Sequence, residues 1–294
     1  MSKAIVVIGA TGKQGGSVLR ALLAHSSFSP SKYTIYAVTR NPSSATRLSS
    51  LSPAVKLVQG DLRSVPTLSS IKPWGAFILT NPGKTETEDG VGLVDQAVAA
   101  GVKHIVFTSV ERGSVNGGFT PTEVPHFITK HKVEQHLMDV ANKDGITYTI
   151  LRPPFFLDNL QMGFIGKVIA ALWRDRAGSR PMQVIDTRDI GLFAADALLN
   201  PESSDYKNKG ISLAGDELTF QDANRIHKEK TGEDIPVTFG FLGSILLWLS
   251  KDMREMFRFF REQGFAADLE WVRKKQPGTH DFSAWLDSIK KKEN

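Results

Sequence analysis

The sequence predicts an α/β fold in which a doubly wound parallel sheet is joined to a smaller, mainly helical C-terminal lobe. Three observations predict it. A glycine-rich turn directly follows an apolar run at the start of the chain. Strand-like and helix-like runs then alternate through the first half, which is the order of a parallel sheet covered by helices on both faces. The last third combines helical periodicity with a cluster of aromatic residues.

The first element is the apolar run Ala4–Ile8, followed by the motif Gly9-Ala-Thr-Gly12-Lys-Gln-Gly15 and by a helical pattern. Gly9 allows the tight turn, Gly12 lets the backbone approach a phosphate, and Gly15 lets the helix lie close to the strand. This order predicts a dinucleotide diphosphate site of the Rossmann type, with the N–H groups of the first helical turn directed at the phosphates. The alternative is an ordinary glycine turn.

The remaining elements continue the alternation. Further strands are predicted at Thr34–Val38, Val55–Gln59, Gly75–Thr80, His104–Thr108 and Tyr148–Leu151. Helices are predicted at Gly12–Ala24, Ala45–Ser50, Val65–Ile71, Gly90–Ala100 and Pro125–Lys143. Right-handed crossovers place the carboxyl ends of all these strands at one edge, where ligands bind. The residues that follow each strand are therefore the candidate site residues.

The later elements predict the organisation into two lobes. A helix at Asp186–Leu199 and a strand at Gly210–Leu213 return to the sheet, and helices follow at Phe220–Lys230, Leu242–Gln263 and Phe282–Lys290. We predict a cofactor-binding core over 1–154, with 186–217 returning to it. A smaller substrate or partner lobe is predicted over 155–185 and 218–294, in which the apolar stretch Val237–Leu249 begins a buried helix.

Composition narrows the function classes. The chain has 294 residues, of which 41% are hydrophobic and 23% charged, as in a globular domain. It has no cysteine, so disulfides, thiolate metal sites and a cysteine nucleophile are excluded, and we predict no metal. An early first strand leaves no room for a targeting peptide, which predicts a cytoplasmic protein, with the nucleus as the alternative. Although the net charge is +5, no basic stripe interleaved with aromatics is present. We expect no nucleic-acid partner, no membrane partner, and a monomer or homodimer.

Arg40 follows the second predicted strand, where proteins that prefer NAD carry an acidic residue that binds the ribose 2′-hydroxyl. A guanidinium at that position can pair with a 2′-phosphate and stack on adenine. The sequence therefore predicts NADP(H) rather than NAD. The alternative is a solvated loop arginine.

Other strand ends carry further candidate contacts. Asp61 follows the third strand and can accept a bond from the adenine amino group, or it can cap the next helix. Leu62 can pack on the adenine ring. Asn81, in an Asn-Pro-Gly turn after the fourth strand, lies on a loop that is predicted to pass the middle of the cofactor. Gln14, inside the glycine turn, can add a phosphate contact.

Lys130 is the candidate chemical residue, because it lies three residues after Phe127 and three before Val133, on the apolar stripe of a predicted helix. Burying a lysine at that position costs free energy unless its ammonium group reaches water in a cleft or pairs with another group. We interpret it as a cation that holds the nicotinamide ribose and donates to a substrate carbonyl. His126 lies one turn earlier on the same side. The alternatives are a Lys130–Glu134 helix pair or a lysine that extends to solvent.

In these motifs the chain resembles the NmrA-like family of atypical short-chain dehydrogenases/reductases, which includes redox-sensing regulators and isoflavone-reductase-like enzymes. The resemblance covers about residues 1–235 and rests on Gly9–Gly15, Thr39–Pro42, Gln59–Leu62, Phe127–Lys130 with Val133–Glu134, and Tyr148–Asn159. It implies that NADP(H) is bound by Gly9, Thr11, Gly12, Gln14, Gly15 and Arg40, with Lys130 near the nicotinamide. It also implies that Pro153, Phe155 and Phe156 lie beside the nicotinamide and that Asn159 supports this wall.

One departure from the family pattern leaves two functions open. Active short-chain dehydrogenases have a tyrosine four residues before the lysine, where this chain has His126. With Ser109 in the position of the serine that orients a substrate carbonyl, a Ser109/His126/Lys130 group can support an NADPH-dependent reductase of a small hydrophobic carbonyl or enone. The alternative is a catalytically weak sensor of the NADPH/NADP balance that regulates a protein partner, with Thr85–Asp89 and Gly113–Thr122 as its movable segments.

Overall fold

The computed structural model describes residues 2–113 and 122–293. These residues belong to two compact units. The first comprises Met1–Val110, Thr129–Arg152 and Ile190–Ile211, and the second comprises Glu111–Ile128, Pro153–Asp189 and Ser212–Asn294. Most of the loop that was expected to move, residues 114–121, lies outside the described residues. The predicted lobe boundaries, and the ligand assigned to each lobe, stay predictions.

Strands and helices alternate along most of the chain. The strands are β1 Lys3–Val7, β2 Tyr33–Thr39, β3 Val55–Gln59, β4 Gly75–Leu79, β5 His104–Thr108, β6 Thr147–Arg152, β7 Phe155–Phe156, β8 Met182–Ile185, β9 Lys209–Ser212 and β10 Asp216–Leu218. The helices are α1 Lys13–Ala24, α2 Thr46–Ser49, α3 Leu68–Ile71, α4 Glu86–Ala99, α5 Pro125–Asp144, α6 Phe164–Arg176, α7 Thr187–Leu199, α8 Phe220–Thr231, α9 Gly240–Leu249, α10 Lys251–Glu262, α11 Leu269–Lys275 and α12 Phe282–Glu293.

The first unit is built on a seven-stranded sheet with the strand order β3-β2-β1-β4-β5-β6-β9. The pairings from β3 through β6 are all parallel. The winding direction changes between β1 and β4, and such a switch point opens a crevice at the carboxyl ends of the strands. Strand β4 is buried along its whole length, which explains its uniformly apolar sequence. The predicted doubly wound α/β fold is confirmed.

The second unit contains a three-stranded sheet, in which β8 pairs in parallel with β7 and antiparallel with β10. Helices α6 and α8 to α12 make up most of the remainder. Aromatic rings pack edge-to-face or tilted in its core, with centroids 5.1–6.3 Å apart; they are Phe155, Trp173, Phe220, Phe257, Phe259, Phe260 and Phe265. The sequence predicted neither this small sheet nor helices α6 and α11.

Two expectations about the second unit are wrong. The single helix predicted over Leu242–Gln263 is two helices, because Ser250 adopts an extended backbone and its hydroxyl caps α10 by accepting from the Met253 N–H at 3.2 Å. The stretch Val237–Leu249 does not begin a buried helix. Its large apolar side chains are exposed, up to 78% for Trp248. Even so, none of the helices described is long and apolar enough to cross a membrane.

Candidate functional site

The glycine turn joins β1 to α1 at the switch point of the sheet. Gly9 has φ +67°, a conformation that favours glycine, and the neighbouring Ala10 N–H donates to the Val38 carbonyl at 3.1 Å. A Cβ on Gly15 would lie 2.8 Å from the Ile8 carbonyl oxygen and closer still to the Gly9 carbonyl. Gly12 is the N-cap residue of α1. The turn therefore presents backbone without a Cβ at its three glycines, at the start of a helix, as suits an anion site.

Arg40 is exposed at the carboxyl end of β2, directly beside β1 in the sheet. The pKa of Asp61 is lowered, mainly because its carboxylate accepts the Arg63 N–H, with a contribution from the charge of Arg40. Asp61 Oδ1 accepts from the N–H groups of Arg63 at 2.8 Å and Ser64 at 3.0 Å. It thus closes a local turn rather than capping a helix, since α3 begins only at Leu68.

Four further predicted contacts lie at the same sheet edge. Leu62 is partly buried, and its Cδ2 lies 3.6 Å from the position of a Cβ on Gly9. Thr11 and Asn81 are exposed in the loops that follow β1 and β4. The Gln14 side chain accepts from the Thr108 hydroxyl at 2.9 Å, at the end of β5. That bond ties Gln14 to the sheet, and its predicted phosphate contact stays a prediction.

Lys130 is buried in the first unit and is held by partners from β4 and α4. Its Nζ lies 3.0 Å from Glu86 Oε1 and donates to the Thr80 hydroxyl at 2.8 Å. Burial lowers the pKa of Lys130, and the nearby Glu86 carboxylate opposes that shift. Glu134, the partner of Lys130 in the alternative interpretation, forms a two-point ion pair with Arg152 (2.7 and 3.2 Å).

Glu86 is one of two site residues that sequence reasoning missed. It was expected in a movable acidic segment, but it starts α4 and is 1% exposed. Besides Lys130, it accepts from the hydroxyls of Thr80 at 2.7 Å and Thr129 at 2.5 Å. Gly90, one turn later, could have indicated this contact from the sequence. A Cβ at that position would lie 2.7 Å from Val133, so α4 approaches α5 closely. That close approach brings Glu86 to Lys130.

His126 belongs to the second unit, at the start of α5. Its Nδ1 lies 2.7 Å from both carboxylate oxygens of Asp252, and its backbone N–H donates to the same carboxylate at 3.0 Å. Burial acts to raise the pKa of Asp252, but the bonds from His126 outweigh it and the pKa is lowered. Asp252 was also missed, since 126 residues separate it from its partner.

The remaining predicted residues divide between the units. Ser109 is buried in the first unit, where its N–H donates to the Leu151 carbonyl at 2.7 Å. Pro153, Phe155 and Phe156 belong to the second unit. Phe155 packs against Trp173, whereas Phe156 is partly exposed. Their predicted positions beside a nicotinamide stay predictions.

Comparisons with known proteins show the family and the fold. A family model described as the NmrA-like family matches residues 1–283. The oxidoreductase FrzB of Cladobotryum sp is 34% identical over 188 residues, which are 59% of this chain and 51% of FrzB. The chain thus spans about half the length of this curated relative.

Solved structures share the fold over nearly the whole chain. Triphenylmethane reductase of Citrobacter sp, complexed with NADP(H), superposes with a TM-score of 0.72 at 20% identity and covers 98% of this chain and 99% of its own. NmrA, a negative transcriptional regulator solved with NAD, has a TM-score of 0.67 at 19% identity, covering 97% of this chain and 94% of NmrA.

Proposed function

Since the chain belongs to the NmrA-like family, we propose that it is an NADP(H)-dependent oxidoreductase that reduces a small hydrophobic carbonyl or enone compound. The observation that carries this proposal is the bare glycine turn at the start of α1 beside the exposed Arg40. Two relatives support it: FrzB is named an oxidoreductase, and the Citrobacter reductase was solved with NADP(H).

The residues present fit the cofactor. A Cβ on Gly15 would clash with the Gly9 and Ile8 carbonyl groups, so only glycine lets α1 start this close to β1. We expect the backbone N–H groups at this helix start to bind the diphosphate. Arg40 provides a guanidinium for the adenosine 2′-phosphate. When bound, NADPH supplies the hydride, and the protein's task is to position and polarise the acceptor.

Lys130 is the residue that we propose donates a hydrogen bond to the substrate oxygen. Glu86 positions its ammonium group and, by its charge, favours the protonated form despite burial. A fixed cation in a site of low polarity stabilises developing negative charge on the oxygen. Glu86 is thus a positioning residue, because it acts through Lys130.

His126 is the proposed source of the proton. Asp252 accepts from Nδ1, which places the other exchangeable proton of the imidazolium on Nε2. From Nε2 the ring can donate that proton to the substrate oxygen as a general acid. Ser109 stays a predicted orienting residue.

A redox sensor is the second candidate, and one observation favours it. Lys130 and His126 each already form an ion pair with a carboxylate, and such pairs can be purely structural. NmrA, which shares the fold, is a transcriptional regulator. In that function the nucleotide would bias the binding of a protein partner without turnover.

The test is NADPH oxidation with a panel of carbonyl and enone compounds. Lys130→Ala is expected to lower kcat about 100-fold or more, because a preorganised donor to an oxyanion has about that effect. Lys132→Ala, which removes an exposed lysine from the same helix, is the matched control and should retain activity. Absence of turnover in the unaltered protein, together with partner binding that depends on NADPH, would replace the enzyme with the sensor.

Glu86→Gln separates positioning from chemistry. Loss of its charge should shift the pH profile of kcat toward lower pH, because the Lys130 ammonium then loses its proton more readily. The affinity for NADPH should change little. A kcat profile that matches the unaltered protein would remove Glu86 from this role.

A further inference from the structure

The second unit carries an apolar surface that the proposed reductase function does not use. Of the nine large apolar side chains that are about half exposed or more in residues 2–113 and 122–293, eight lie in 162–165 and 239–249. We call the second group, on and just before α9, the α9 ridge: Phe239, Phe241, Ile245, Trp248 and Leu249. A concentration of exposed apolar side chains of this kind marks an interaction surface.

Helix α9 is anchored so that this face points outward. Gly243 is buried against α6, where a Cβ would lie 2.8 Å from Leu172. The Ser244 hydroxyl accepts from the Arg176 guanidinium at 2.7 Å, and the Thr238 N–H donates to the Lys167 carbonyl at 3.3 Å. The exposed residues of α9 follow the spacing i, i+4, i+7 and i+8, which is one helical face. The ridge is therefore a fixed feature of the unit.

Basic side chains surround the ridge. Arg176 contacts the middle of α9, and Arg254 donates to the Leu247 carbonyl at 3.0 Å near its end. Lys167 and Lys251 are exposed on the elements that hold and follow the helix. Helix α9 itself contains no charged residue.

Three acidic side chains near the helix are paired with basic groups. Asp175 bonds to Arg174 at 2.7 Å, and Glu255 to Arg258 at 2.9 Å. Asp252, which follows α9, bonds to His126. The border of the ridge is therefore cationic on balance.

We propose that the α9 ridge docks on the surface of an anionic phospholipid bilayer, with α9 lying in the interface plane. A short helix with aromatic and aliphatic residues on one face and basic groups at its border has the chemistry of an interfacial anchor. Tryptophan and phenylalanine bury apolar area at the headgroup level, and the basic border adds attraction to anionic lipid. This proposal departs from the sequence-based prediction of no membrane partner.

A second copy of the chain fits the ridge less well. In a two-fold dimer each patch meets its own copy, so the cationic borders of both subunits would come together. Like charges at the edge of an interface oppose such pairing. An anionic lipid surface presents the complementary charge.

Vesicle cosedimentation of the full chain tests the proposal, with phosphatidylcholine vesicles that contain or lack phosphatidylserine. We expect binding to the anionic vesicles only. Phe241→Ser combined with Trp248→Ser should weaken it at least about tenfold, because two large apolar side chains no longer enter the interface. Leu51→Ser is the matched control, since Leu51 is the ninth of the exposed large apolar residues in the described part of the chain, and it lies in the first unit.

A second variant tests the charge. Lys167→Gln combined with Lys251→Gln should weaken binding to anionic vesicles, whereas Lys143→Gln, in the first unit, should not. Circular dichroism and NADPH binding show that each variant is folded. The proposal is overturned if the unaltered chain does not bind anionic vesicles, or if it binds neutral vesicles equally tightly. It is also overturned if the double serine variant binds anionic vesicles as tightly as the unaltered chain. Dissociation of a dimer by that variant, without vesicle binding, would show that a second copy covers the ridge.

Discussion

Among residues 2–113 and 122–293, the first unit places two ion pairs in its interior, Lys130–Glu86 and Arg152–Glu134, whereas the second unit places eight large apolar side chains on its surface. A buried ion pair repays its desolvation only when geometry is well satisfied, so such pairs are retained where the position of a charge matters. Exposed apolar side chains add nothing to folding stability and indicate binding. On the proposals above, the first unit holds charged groups in fixed positions for the reaction, and the second offers a docking surface.

The largest effect is expected at Gly15 in the first unit. Gly15→Ala places a methyl group against the carbonyl groups of Ile8 and Gly9, and backbone on both sides cannot move away. We expect a loss of about 3 kcal/mol or more of stability, measured by urea unfolding, and loss of NADPH binding.

Gly92→Ala in α4 is the matched control, since a Cβ there meets open space among the described residues. It should raise stability by about 0.5–1 kcal/mol, as Gly to Ala does in a helix. A Gly15→Ala variant that is as stable as Gly92→Ala would contradict the close approach of α1 to β1.

The next largest loss of stability is expected at the buried Arg152–Glu134 ion pair. Arg152→Met leaves the Glu134 carboxylate buried without its two-point partner, and we expect a loss of about 3–5 kcal/mol in urea unfolding. Arg225→Met in the second unit removes an exposed partner of Glu229 and should change stability within experimental error. Equal losses at both positions would abolish the contrast between the units.

Two buried groups, one in each unit, should make the free energy of unfolding depend on pH in opposite directions. Burial raises the pKa of Asp189, in the second unit, to about 7 and lowers that of His104, in the first, to about 4. A raised carboxyl pKa makes the native state bind the proton more tightly, so the contribution of Asp189 to stability falls as pH rises from about 4 to 7. A lowered histidine pKa means that the unfolded chain binds the proton first, so the contribution of His104 falls as pH drops from 6.5 to about 4.

Urea unfolding from pH 4 to 7.5 checks both signs. The stability of the unaltered protein relative to Asp189→Asn should fall with rising pH over that window. Relative to His104→Gln it should rise by about 3 kcal/mol between pH 4 and 6.5. Parallel pH curves for a variant and the unaltered protein would show that its group titrates normally.

The sequence predicted the first unit better than the second, and the reason is physical. Apolar runs such as Ala4–Ile8 and the glycine turn encode strand, turn and helix locally, so the sheet and the turn follow from short windows. Glu86 and Asp252 could not be found in this way, because their partners lie 44 and 126 residues away at Lys130 and His126. Only packing brings them together.

The second unit also shows where hydrophobicity misleads. Trp248 and its neighbours were expected to be buried because apolar residues usually are. Their exposure cannot be derived from composition, since whether α9 is covered depends on tertiary packing. Ser250, which separates α9 from α10, was overlooked because the apolar pattern continues across it.

The most direct test of the central claim, that the bare turn and Arg40 hold NADP(H), is titration calorimetry of NADPH and NADH. The unaltered chain should bind NADPH at least about tenfold more tightly than NADH, as an added charge-assisted bond implies. Arg40→Gln should remove that preference, while Arg225→Gln should preserve it. Equal affinity of the unaltered chain for both nucleotides, or no binding of either, would contradict the account.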